Sequence, residues 1–180
     1  MKRIVLITGS ARKNGNSDLL AQAFIAGAQG VGHQVFRFDA AHKKLFPCIA
    51  CDTCFTKGAA CSRTDDFNEL APRIEEADTI VLCTPLYWFT FPGQIKMVID
   101  KLYAFQSGKR SLNIQEAALL VCAETDDPKD FEGILTTFAL LLRYKEWKNA
   151  GILTVPKVNK IGDIELSGGL EKAQELGRHI

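Results

Sequence analysis

Two stretches of this sequence gather residue types that react or bind rather than pack. The first is Gly-Ser-Ala-Arg-Lys-Asn-Gly-Asn-Ser over 9–17, set between the apolar run Arg3-Ile-Val-Leu-Ile-Thr8 and the amphipathic run that opens Asp18-Leu-Leu-Ala-Gln-Ala-Phe24. A small, hydroxyl-rich loop between a strand and a helix is suited to an anion, because the first N–H groups of the helix lack partners and the helix dipole is positive there. Ser10, Asn14, Asn16 and Ser17 offer neutral donors, and Arg12 offers a guanidinium that forks onto phosphate oxygens. A plainer reading of the same stretch has Asn16 or Ser17 capping the helix and Gly9 and Gly15 turning the chain. The second stretch places Cys48, Cys51, Cys54 and Cys61 in the spacing C-x2-C-x2-C-x6-C. Four thiolates in one loop can ligate a [4Fe–4S] cluster or a zinc ion, form a redox disulfide, or remain free thiols.

The anion loop is not one of the two best-known phosphate loops. GxxxxGK[ST] requires a lysine where Asn16 stands, and GxGxxG is absent, although Asp39 stands where a ribose-binding acid would. The loop holds no cysteine nucleophile, so a terminal monophosphate bound without being transferred suits it best. A second loop, Thr84-Pro-Leu-Tyr-Trp-Phe-Thr-Phe-Pro-Gly93, has aromatics where loop residues are usually polar. Such rings suit burial against a helix or a second subunit, and equally a flat ligand with loop N–H groups at its edge. A phosphate site one strand away favours the flat ligand, and phosphate plus aromatic plane describes flavin mononucleotide (FMN).

These loops need elements to hold them. Short β-branched runs predict strands at 3–8, 34–38, 79–84, 116–123 and 150–155, alternating with helices at 17–29, 66–76, 92–105, 129–143 and 167–178. Ile80-Val-Leu-Cys83 and Ala117-Ala-Leu-Leu-Val-Cys122 are apolar on both faces, which suits a parallel sheet covered on either side. Right-handed crossovers then predict an α/β, flavodoxin-like three-layer sandwich with a five-stranded parallel sheet in the order 2-1-3-4-5. Ligands of such sheets bind outside the carboxyl ends of the strands, where the loops after strands 1, 3 and 4 lie. One connection, about 40–65, is far longer than the roughly two to six residues usual there, and it contains the four clustered cysteines. The expected organisation is one domain over 1–180 with a Cys-rich insertion.

Bulk properties exclude some partners. With 22 basic and 21 acidic side chains, the sequence has no electrostatic footprint for nucleic acid or an anionic membrane surface. No apolar stretch approaches the roughly 20 residues that cross a bilayer. Met1-Lys-Arg3 leads into a strand-like run without a small-residue cleavage site, so a cytoplasmic location is expected. In that reducing compartment metal or redox chemistry is a better reading of the clustered cysteines than structural disulfides. Cys83 and Cys122, within strands, read as packing residues; His33, His42 and His179 read as surface residues.

GSARKNGNS resembles the G-S-x-R-x-x-[GS]-[NF]-[ST] phosphate loop of the NADPH-dependent FMN reductase family, and TPLYWFTFPGQIKMVIDK is similar to that family's [TS]-P-x-Y-x-x-x-x-[PS]-G-x-[LI]-K-x-x-[IL]-D-[RK] segment. The resemblance implies that Ser10, Arg12, Asn16 and Ser17 hold the FMN phosphate, and that Pro85, Leu86, Tyr87, Trp88 and Phe89 lie along the flavin ring. The loop Ala123-Glu124-Thr125-Asp126-Asp127, which matches no tight motif, would close the other side. Gly93, Lys96 and Asp100 would set and brace the helix after the aromatic loop. It implies an enzyme that takes hydride from NAD(P)H onto FMN and passes electrons to a small-molecule or protein acceptor, with no catalytic side chain. It also implies a homodimer or higher homo-oligomer, in which Tyr103 and Phe105 are candidate contacts. The cysteine spacing, with Thr64-Asp-Asp-Phe67 behind it, resembles the iron–sulfur flavoprotein branch. That branch implies an alternative: an electron carrier with a [4Fe–4S] cluster on the four cysteines and no nicotinamide turnover.

Overall fold

In the computed structural model, which describes residues 1–180, the central sheet is built from β1 (Arg3–Thr8), β2 (Gln34–Asp39), β3 (Thr79–Pro85), β4 (Glu116–Cys122) and β5 (Lys148–Val155). All pairings are parallel and the order is β2-β1-β3-β4-β5, the flavodoxin-like arrangement the sequence predicts. Period-two alternation sends neighbouring residues to opposite faces. Ile4, Leu6, Val81, Cys83, Ala118 and Leu120 pack on one side, against α1 (Asn16–Gly30) and α6 (Gly169–His179). Val5, Ile7, Ile80, Leu82, Leu119 and Val121 pack on the other, against α2 (Phe67–Glu76), α3 (Gly93–Lys101) and α5 (Glu132–Lys145). The inner strands are apolar throughout because both faces are covered. No helix is long and apolar enough to cross a membrane.

Helices α1 and α6 meet backbone to backbone. A Cβ added at Gly27 would stand 1.9 Å from the Gln174 carbonyl oxygen, and one at Gly177 2.2 Å from that of Phe24, so only glycine permits this approach.

Four elements depart from the sequence reading by two or more residues: the helix expected over 129–143 runs from Glu132 to Lys145 behind a 3-10 turn at Pro128–Phe131, that expected over 167–178 begins at Gly169, and two others differ in ways that matter to the packing. The helix expected over 92–105 is divided into α3 and α4 (Tyr103–Ser107), because the chain tightens at Leu102, whose N–H bonds to the Ile99 carbonyl three residues back. The same division buries Phe105, which is 1% exposed and packs on Phe55 and Phe67, so it offers no subunit contact; Tyr103 remains exposed. Strand β5 starts two residues earlier than expected, and its register with β4 shifts so that Ala117 faces Asn149 while Ala118 faces Gly151.

Because every strand runs the same way, Thr8, Asp39, Pro85, Cys122 and Val155 end at one edge of the sheet. The loops that follow them converge there.

Candidate functional site

A cleft of about 580 Å³ opens at that edge. Its volume lies within the roughly 300–1,000 Å³ of small-molecule sites. Ser10, Arg12, Asn16 and Ser17 form one side, Pro85 to Phe89 a second, and Glu124 and Thr125 a third. The structure therefore brings together every cofactor residue expected from sequence except Asn14.

The phosphate-type loop is shaped by close approach. A Cβ at Gly9 would lie 2.7 Å from Thr84 Oγ1, so glycine lets β1 leave the sheet against β3. The Arg12 N–H donates to Ser10 Oγ (3.1 Å), and the Gly15 N–H donates to the Arg12 carbonyl (3.1 Å). Gly15 occupies the cap position of α1, and no side chain caps the helix. The plainer reading, in which Asn16 or Ser17 caps it, is thereby set aside. The N–H groups of Asn16 and Ser17 have no acceptor in the protein, and such orphan donors at a helix start form an anion cradle. Asn16 contributes its backbone N–H more than its side chain. Its amide donates to the Lys160 carbonyl (2.9 Å) and accepts from the Ile164 N–H (3.3 Å), pinning a distant loop.

The second wall is a tight hairpin. Tyr87 and Thr90 exchange two backbone hydrogen bonds of 3.1 Å, and Trp88 and Phe89 at its tip have φ of 46° and 64°. Turns with two left-handed residues favour Asn-Gly, and a bulky side chain there costs on the order of 1–2 kcal/mol. Strained backbone of this kind clusters at functional sites, and Trp88 is 90% exposed. The hairpin rests on α5: its Phe89 carbonyl would lie 2.5 Å from a Cβ at Gly133.

Thr125 donates to Asp130, and Asp127 caps the following turn through the Lys129 N–H (2.9 Å). The acidic loop is thus internally braced, as a solvated cap would be. Val158 and Asn159 form a fourth wall that sequence reasoning missed. The Val158 N–H donates to the Ala123 carbonyl (2.9 Å), and the Asp163 carboxylate accepts from the N–H groups of Asn159 (2.9 Å) and Lys160 (2.8 Å) and is thereby kept below the usual carboxylate range. The spacing Asn-Lys-Ile-Gly-Asp over 159–163 carries that turn signal, but nothing in sequence ties it to β1. Cys122, taken as packing, is buried yet reaches the cleft floor, and burial pushes its thiol up to about 12.

Asn14 lies behind the loop, outside the cleft. Its φ of 55° turns its N–H onto Asp18 (2.6 Å), and its side chain faces a separate polar depression. Arg37 there bonds both Asp18 and Asp39, and Asp39 also accepts from Thr8 Oγ1 (2.6 Å). Burial raises the Asp18 carboxyl, but Arg37, the Asn14 N–H and Gln22 outweigh it and leave the group below its ordinary value. Both of these bonds fall on Asp39 Oδ1, and Oδ2 has no partner in the protein.

Cys48, Cys51, Cys54 and Cys61 all line one hollow of only about 20 Å³, beside Arg63, Lys101 and Tyr103. Cys48 and Cys51 are exposed, Cys54 and Cys61 half-buried, and all six cysteines are free thiols. The loop leaves through Asp65, which accepts from the N–H groups of Phe46 (2.8 Å) and Phe67 (3.2 Å) and from buried Lys101. Hydroxyls of Thr53 and Ser62 hold the Cys51 thiol down to about 7. The donor chemistry suits a cluster or zinc, but the geometry does not: no three Cys, His, Asp or Glu side chains converge to hold a metal ion, and the hollow has room for about one water.

The family model for NADPH-dependent FMN reductases matches residues 2–127, which include both the anion loop and the aromatic hairpin but not the fourth wall. An iron-sulfur flavoprotein of Archaeoglobus fulgidus is 29% identical over 181 residues, spanning 99% of this chain and 78% of its own. The putative NAD(P)H-dependent FMN-containing oxidoreductase YwqN of Bacillus subtilis is 27% identical over 136 residues, spanning 71% of this chain and 69% of its own. Among solved structures, an NAD(P)H:quinone oxidoreductase from Methanothermobacter marburgensis superposes with a TM-score of 0.73 at 20% identity, covering 97% of this chain and 93% of that one, a likeness of fold. With most of its length matched by that model, and with the model's two loops facing each other across one cleft, the chain belongs to the NADPH-dependent FMN reductase family.

Proposed function

We propose that this protein is an FMN-dependent oxidoreductase that draws electrons from reduced nicotinamide and delivers them to a small-molecule or protein acceptor. The observation that carries this reading is that uncapped α1 and the exposed Tyr87–Phe89 hairpin open into the same cleft. The N–H groups of Asn16 and Ser17, the hydroxyls of Ser10 and Ser17, and the Arg12 guanidinium would hold the phosphate. Pro85, Leu86 and Tyr87 would give the ring an apolar wall, and the unpaired N–H groups of Trp88 and Phe89 would meet its polar edge. Bound there, FMN supplies the hydride-accepting and electron-donating chemistry, so the protein's part is orientation, electrostatics and exclusion of water. Six free thiols suit the cytoplasm, and Trp88, Leu140 and Tyr144 give a homo-oligomer apolar surface to cover.

The test is anaerobic. The FMN-reconstituted protein should lose its visible flavin absorbance on addition of NADPH or NADH, and failure to bind FMN would sink the reading. A second reading, an electron carrier with a [4Fe–4S] cluster, is favoured by the gathering of four thiols at one hollow and by relatives named iron-sulfur flavoproteins. It requires the exposed 48–52 segment to open. About four irons and matching acid-labile sulfide per chain in protein purified without oxygen would establish it; flavin without iron would leave a thiol loop.

A further inference from the structure

The loop after β5 forms the fourth wall of the cleft, and it lies beyond the residues that the family model matches. It is fastened at both ends. At one end the Lys157 N–H donates to the Thr125 carbonyl (3.0 Å) and the Val158 N–H to that of Ala123 (2.9 Å), so 157–158 rests on the loop after β4. At the other, the Asn16 amide donates to the Lys160 carbonyl (2.9 Å) and accepts from the Ile164 N–H (3.3 Å), so 160–164 rests on the start of α1. Ile164 is itself fully buried in the core layer that α1 covers. Asn159 stands between these two anchorages and lines the cleft. Its backbone N–H is spent on Asp163 (2.9 Å), while its side-chain amide bonds to nothing in the protein. Lys157 beside it holds a left-handed φ of 61°, a strained backbone of the kind that clusters at functional sites.

We infer that Asn159 is a flavin ligand that reads the ribityl arm of FMN, and that Asn16 is the residue that positions it. The inference rests on the proposed function for the identity of the ligand. The two anchorages fix where along that ligand Asn159 falls. On the proposed function the start of α1 meets the phosphate, and the loops after β3 and β4 enclose the ring. The span between them, where Asn159 stands, is the course of the polyol that joins ring to phosphate. Each ribityl hydroxyl donates one hydrogen bond and accepts others, and a carboxamide answers it because it does both. An amide whose backbone is already tied on either side loses little freedom when it binds. Asn16 then serves two parts of the ligand, the phosphate through its own backbone N–H and the ribityl arm through Asn159.

Fluorescence titration of the full chain with FMN, with riboflavin, and with lumiflavin, which lacks the whole arm, separates the parts of the site without turnover. Asn159→Ala should weaken FMN and riboflavin alike, by about five-fold, and leave lumiflavin within about two-fold of the parent. Asn16→Ala should do the same, since it keeps the backbone N–H that meets the phosphate. The double variant should bind no more weakly than either single one, as expected when one residue acts through the other. The Asn159 side chain is exposed and without a partner, so its removal leaves the fold intact. Unchanged riboflavin affinity in Asn159→Ala would overturn the assignment, and a loss confined to FMN would move the contact to the phosphate. Equal weakening of lumiflavin would also overturn it, as the mark of a general disturbance of the cleft. Losses that add in the double variant would remove the positioning role of Asn16. Bleaching by NADPH or NADH is read separately: the expected pattern without bleaching keeps the ligand and loses the reductase, and bleaching with an unaltered Asn159→Ala does the reverse.

Discussion

Phe89 holds a left-handed backbone at a hairpin tip where glycine is at ease. Phe89→Gly should therefore stabilise the FMN-free protein by about 1 kcal/mol while weakening FMN binding. Thermal unfolding and flavin fluorescence titration measure the two effects, and loss of both together would mean that the ring packs rather than binds. Asp18 is the residue through which acid reaches the anion loop. Its folded-state pKa lies below its unfolded value of about 3.9, so its contribution is complete above that value and is lost as pH falls through the folded pKa. Asp18→Asn should be less stable than the parent at pH 7, yet lose less stability between about pH 5 and pH 3. Urea midpoints across that range test the sign. Parallel curves for the two proteins would show that the Arg37 pair contributes nothing.

At the level of elements, the notable join is between α3 and the cysteine loop. Lys101, at the end of the helix that follows the aromatic hairpin, is 2% exposed and meets Asp65, which closes the cysteine loop. A buried pair of this kind is costly to break because it leaves one charge without a partner. Lys101→Ala should cost about 3–5 kcal/mol and make Cys54 more reactive toward thiol reagents. Lys101→Met with Asp65→Leu should recover only part of the loss, since Asp65 also accepts the Phe46 and Phe67 N–H groups. A cost below about 1 kcal/mol in denaturant unfolding would place the pair among those that add nothing. By contrast, Lys96–Asp100 on the outer face of that helix is the exposed i,i+4 brace expected from its spacing.

Across the whole molecule, the cleft draws on loops after β1, β3, β4 and β5, so a ligand there ties both layers of the sandwich to the sheet edge. Any ligand bound only by the folded state adds stability by mass action, about 2.7 kcal/mol at 100 times its Kd. For a chain of this size FMN at that excess should raise Tm by roughly 5–10 °C. Riboflavin, which lacks the phosphate, should raise it far less if α1 is the anchor. An equal shift with riboflavin would move the binding energy from the anion loop to the hairpin.

The sheet order was legible in the sequence because strands apolar on both faces admit few topologies once crossovers are right-handed. That the loop after β1 and the aromatic hairpin would face one cleft was legible because both follow adjacent strands at the carboxyl edge of a parallel sheet. What required the tertiary structure was every long-range choice of partner: Asn16 spending its amide on the 160–164 turn, Asn14 facing away from the cleft, Asp39 engaged by Thr8 and Arg37, and Phe105 turned inward onto Phe55. Side-chain type states what a group can bond to, whereas packing decides which of several competing partners lies within reach. The cysteines show the same division, since their spacing sets the donor chemistry and only the fold determines how near to one another they stand.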